Sequence, residues 1–120
     1  MRFINSKTHG ILDYLTGALL ILAPWIFGFA NGGPEQIIPI LIGSAIILMS
    51  LFTDYEMSAV KLIPLSFHLG TDILAGLFLA LSPWMFGFAD VIFWPHLIVG
   101  ILEMGAGLFT HRVPDYKFAQ

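Results

Sequence analysis

The chain has 120 residues, no cysteine, a formal net charge of −3 and 58% hydrophobic side chains against 11% charged, where a soluble domain carries about 25% charged residues. A chain this short leaves much of its surface outside any core, so eleven Phe and three Trp have no soluble interior to enter, and lipid is expected to cover them. The absence of a basic patch excludes nucleic acid as a partner, and the missing thiols exclude disulfides and thiolate metal sites.

The elements follow from a duplication. Ala23-Pro24-Trp25-Ile26-Phe27-Gly28-Phe29-Ala30 returns as Ser82-Pro83-Trp84-Met85-Phe86-Gly87-Phe88-Ala89, and the same shift of 59 lays His9 on His68, Asp13 on Asp72 and Gly17 on Gly76. Arg2 and Lys7 ahead of the first apolar run have the look of a secretory signal. The run recurs internally at 68–89, which argues that it is structure. In chain order, Asn5, Ser6 or Thr8 caps a first span over about 9–28. Asn31-Gly32-Gly33 is a turn, and Pro34 with Glu35 suits the first turn of a second span ending near Thr53. Residues 54–66 form a hinge. Ser66 is expected to cap a third span over about 67–88, and Pro95 to open a fourth ending near His111. The second outer loop is two residues shorter, because Leu51-Phe52-Thr53 matches Leu108-Phe109-Thr110 at a shift of 57. The tail, 112–120, is expected to be solvated.

The expected fold is all-α: one membrane domain, a four-transmembrane-helix bundle made of two parallel tandem helical-hairpin repeats, about 9–53 and 67–111. Each repeat contributes two spans, so both enter from the same side and are related by an axis along the membrane normal. Arg2, Lys7, Lys61, Arg112 and Lys117 all fall on the side of the termini and hinge, which places both termini in the cytoplasm. Trp25, Trp84 and Trp94 then form an aromatic belt at the opposite surface. Gly17-Ala18, Gly43-Ser44-Ala45, Ala75-Gly76 and Gly105-Ala106-Gly107 are small-residue patches that let membrane helices approach closely.

With Ser82-Pro83-Trp84 in one hairpin and Ala23-Pro24-Trp25 at the matching place in the other, the chain resembles the SPW-repeat membrane proteins over about residues 3–112. His9-Gly10-Ile11-Leu12-Asp13-Tyr14 is similar to that family as well, although the second copy keeps only His68 and Asp72. The resemblance implies a two-repeat bundle in a bacterial plasma membrane, with Pro24, Trp25, Gly28, Pro83, Trp84 and Gly87 as its structural motif, and brings no catalytic residues.

Five polar residues are candidates for a binding or proton site. His9 and Asp13, like His68 and Asp72, are four apart, so each His sits one helical turn from its Asp on one face. If both faces point inward, two imidazoles and two carboxylates form a metal or proton site. The simpler alternative leaves each pair at a helix start, with Asp at the positive dipole end. Glu103 falls near mid-depth in the fourth span, where an ionisable group by default marks a relay or ligand contact, or else is a protonated cross-helix hydrogen bonder. His96 is expected at headgroup level, and Tyr14, Tyr55 and Tyr116 are expected to anchor the cytoplasmic boundary.

No catalytic signature is present, so the chain is expected not to be an enzyme, and no cofactor or metal is assigned. The leading expectation is a non-enzymatic structural or interaction module of the bacterial inner membrane, whose partners are the lipid bilayer and either further copies or another membrane protein. One alternative is a proton-coupled small-solute carrier or channel using Asp13, Asp72 and Glu103. Another is a haem or metal binder through His9 and His68.

Overall fold

Helix α1 spans Ser6–Ile26, α2 Pro34–Leu51, α3 Leu65–Met85 and α4 Trp94–Phe109, followed by a 3-10 turn at Asp115–Phe118. The computed structural model describes residues 1–118; of the expected solvated tail, residues 119–120 lie outside the described part. The architecture is the expected all-α one, with α1 packed on α2 and α3 on α4 as two hairpins. The bundle is 51 Å long and 27 by 19 Å across. By length and hydropathy α1, α2 and α3 are each able to cross a membrane. At 16 residues, α4 is shorter.

Each helix starts and stops for a local reason. The Asn5 side chain accepts the Thr8 N–H, capping α1, and Pro34 occupies the first turn of α2. Ser66 does not cap α3 as expected: the cap position is Pro64, and Ser66 lies inside the first turn. The helices end two to three residues before the expected boundaries. In the repeated motif the stop comes from the glycine rather than from the proline. Gly28 and Gly87 adopt φ of 74° and 73°, a left-handed conformation that only glycine takes at low cost. Phe29 N–H then reaches back to Pro24 O at 2.7 Å, and Phe88 N–H to Pro83 O at 2.8 Å, closing a Schellman turn. Phe29 and Phe88 are thereby buried, while Trp25 and Trp84 stay exposed at the end away from the termini.

Ser82 has its own part in this motif. Pro83 has no N–H to give to Leu79 O four residues back, and the Ser82 hydroxyl donates to that carbonyl at 2.7 Å. In the first copy Ala23 brings no hydroxyl.

Within each hairpin the helices touch at glycines. A Cβ on Gly43 would lie 2.6 Å from Gly17 O, and one on Gly100 would lie 2.5 Å from Gly76 O, so backbone meets backbone at matching points of both repeats. Between hairpins the contact is made mainly by side chains. Leu20, Ile38, Ile46, Leu79 and Phe88 form the core of the half away from the termini.

At the end bearing the termini and the hinge the repeats exchange partners. Ile4, ahead of α1, bridges to Thr110 after α4, and Ile63, ahead of α3, bridges to Thr53 after α2. The tail is docked there, contrary to its expected solvation. Asp115 accepts the Ser6 N–H at 2.7 Å, Tyr116 donates its hydroxyl to Asp54, and Lys117 Nζ lies 2.9 Å from Asp54. That hydroxyl, followed by Lys117, holds the Asp54 carboxyl below the usual carboxylate range.

Candidate functional site

His9 and Asp13 are the fourth and eighth residues of α1, and His68 and Asp72 are the fourth and eighth of α3. Equal register puts both pairs at one depth, and the bundle turns both faces inward. The four residues meet at the centre with exposures of 0, 1, 0 and 2%. His9 Nε2 lies 2.8 Å from Asp72 and 3.1 Å from Asp13; His68 Nε2 lies 3.0 Å from Asp13 and 3.2 Å from Asp72. Each histidine thus faces the carboxylate of its own helix and that of the other repeat. The two rings stand edge to face with centroids 5.5 Å apart.

The far nitrogens are held by threonines. His9 Nδ1 is 2.8 Å from Thr110 Oγ1, and His68 Nδ1 is 2.6 Å from Thr53 Oγ1. Both hydroxyls already donate at 2.6 Å to the carbonyl one turn back, Thr110 to Ala106 and Thr53 to Met49. A hydroxyl has a single proton to give, so in both contacts the imidazole Nδ1–H is the donor. That assigns the Nε2 of both rings to the centre of the cluster.

Asp13 has further partners: the Tyr55 hydroxyl donates to it at 3.0 Å, and Ser50 lies 3.3 Å away. Tyr55 is fully buried rather than anchoring the membrane boundary, because its chain segment folds inward over the cluster. Burial, then the adjacent Asp13, pushes its phenol above the usual range. Tyr14 donates to Met57 O at 2.8 Å and is half-buried.

Glu103 does not join this cluster. It is 4% exposed, its Oε2 has no hydrogen-bond partner, and it lines a separate groove of about 420 Å³ with Ile4, Leu12, Thr16 and Ala106. Neither aspartate lines that groove. His96 is buried rather than set among headgroups: its Nε2–H donates to Glu35 O at 2.9 Å, and its ring lies between Phe29 and Phe88. The two Schellman turns fold these phenylalanines inward and cover it. Haem has no room between His9 and His68, since two carboxylates fill the plane a porphyrin would take.

Thr53, Thr110, Tyr55 and Ser50 were not singled out by motif. For the threonines a signal existed, since they match at the 57 shift and follow the same Leu-Phe pair.

No curated protein and no solved structure matches the chain. The family model described as the SPW repeat domain matches residues 7–110, from the first turn of α1 to the threonine that holds His9. With two apolar hairpins, each ending its first helix at a Pro-Trp pair, this multi-pass membrane protein belongs to the SPW repeat domain family.

Proposed function

We propose that the chain is a non-enzymatic module of the bacterial inner membrane, with both termini and the hinge in the cytoplasm, and that its His–Asp cluster is the clamp that joins its two hairpins. One observation carries this: four buried polar residues face each other across the repeats, and each imidazole is oriented from behind by a threonine of the other repeat. Such an enclosed arrangement suits interhelical attachment better than turnover, which needs a cavity for substrate. The grouping of Arg2, Lys7, Lys61, Arg112 and Lys117 at the end bearing the termini and hinge supports the orientation. Exposed Leu15, Leu41, Leu74 and Leu102 supply an apolar girdle for lipid or for a membrane-protein partner.

A second reading, a proton-coupled carrier, is favoured by one feature, the unpartnered Glu103 Oε2 beside its groove. Vesicles containing the purified protein and a pH-sensitive dye separate the two. The module leaves an imposed proton gradient intact, and a membrane protein co-purifies with it. A proton flux that disappears in Glu103→Gln would overturn the module in favour of the carrier.

A further inference from the structure

We propose that His9, Asp13, His68 and Asp72 bind one divalent transition-metal cation of the zinc class, as a closed structural centre at the joint between the hairpins. The proposal rests on the reading of the cluster as the clamp and names what holds it shut.

Three observations converge. The first is the direction of the imidazole protons. With Nδ1–H committed to Thr110 and Thr53, a neutral ring turns the bare lone pair of Nε2 toward two carboxylates. Lone pair against carboxylate is repulsive in a buried site, so the centre holds positive charge, either as a proton on Nε2, as the 2.8 Å contact of His9 with Asp72 would accept, or as a cation between the rings. One divalent cation matches two aspartates and two neutral imidazoles. A metal-ligating histidine with its other nitrogen donated to an oxygen is the usual outer-shell arrangement.

The second observation is the pose of His68. Its Nε2 is enclosed and lies 3.0 and 3.2 Å from carboxylate oxygens, yet it makes no hydrogen bond. Both oxygens are too far off the ring axis to share an N–H well. A metal ligand needs the opposite arrangement, with the lone-pair axis directed at the ion and the other ligands flanking it.

The third is size and composition. One donor atom from each residue can be chosen so that all four lie within 4.8 Å of one another, while a tetrahedral ion with bonds of about 2.0–2.1 Å holds its ligands about 3.3 Å apart. Two imidazoles and two carboxylates form a borderline donor set suited to zinc and its neighbours. Four protein ligands with no open position describe a structural rather than a catalytic site. Tyr55, donating to Asp13, supplies an outer-shell partner on one side.

The test uses the full chain purified in detergent, stripped with a chelator, given Zn²⁺ alone and desalted. Elemental analysis is expected to find about one zinc per chain, and absorption at the zinc edge a shell of nitrogen and oxygen at about 2.0–2.1 Å. His68→Gln and Asp72→Asn are expected to fall below about a tenth of that, whereas His111→Gln, which removes a partly exposed imidazole away from the cluster, retains it. Should the variants fail to fold, wild-type stoichiometry and the edge spectrum decide alone. A helical, monodisperse wild type that takes up no zinc, or zinc that persists in His68→Gln, overturns the metal. If that zinc-free protein still melts earlier on Asp72→Asn, the clamp survives with protons in place of the ion.

Discussion

The two halves of the cluster are built from matching residues and supported differently. His9 with Thr110 mirrors His68 with Thr53, and each carboxylate meets both rings. Behind Asp13 stand the Tyr55 and Ser50 hydroxyls. At the 57 shift their places belong to Arg112 and Gly107, and Gly107, lying against Asp72, brings no donor. Glu103 likewise replaces Ile46. Residues that join the repeats are present in both copies; residues that tune or surround the joint have diverged. Asp13 is therefore the fixed carboxylate and Asp72 the adjustable one.

Removing either carboxylate is the most severe way to break this comparison. Asp13→Ala and Asp72→Ala each leave both imidazoles short of a partner, a loss of about 3–5 kcal/mol by analogy with buried ion pairs. Asp13→Ala is expected to cost about 1–3 kcal/mol more, because it also orphans the Tyr55 hydroxyl. Thermal melts in detergent followed by circular dichroism measure both. Equal losses would remove the distinction between the two sides.

A smaller effect tests the part that the repeats share. Gly43→Ala and Gly100→Ala each drive a methyl into the facing backbone and are expected to lower stability by about 1–3 kcal/mol, to similar extents in both hairpins. Gly105→Ala meets nothing within 4 Å and is expected to be neutral or to gain a few tenths of a kcal/mol, up to about 1, from helix propensity. The same melts check all three.

The smallest effect concerns the tail. Since the Tyr116 hydroxyl and Lys117 depress the Asp54 carboxyl, its contribution to tail docking is complete above the unfolded value of about 4 and is lost as pH falls through the lower folded value. The pair is partly exposed and lies outside the four helices, so the change is local. Hydrogen exchange at residues 115–118 should rise below about pH 4 while α1–α4 keep their protection.

Much of this was legible in the amino-acid order. The apolar runs show four helices, three of them long enough to cross a membrane, and His and Asp four apart lie on one helical face whatever the packing. Which carboxylate each ring meets was not legible, since the pairing of His9 with Asp72 depends on how two hairpins dock. Tyr55 read as a boundary anchor because inward folding of the hinge has no local signature. His96 reads as a headgroup-level residue because half of its cover comes from Phe29, in the other repeat, and the other half from Phe88 only once its turn folds inward. The end of each first helix was not legible either, since it is made by a glycine in the left-handed conformation four residues after the proline.

The reciprocal bridges of Ile4 to Thr110 and Ile63 to Thr53 bear on how the molecule is made. While the first hairpin is being inserted, its leading segment has nothing to clasp until the final helix leaves the ribosome. The Thr53 bridge can form as soon as the hinge is made, and closure of the ring through Ile4 and Thr110 comes last. The same geometry would let two separately synthesised halves complete each other, each lending its leading segment to the other's last helix.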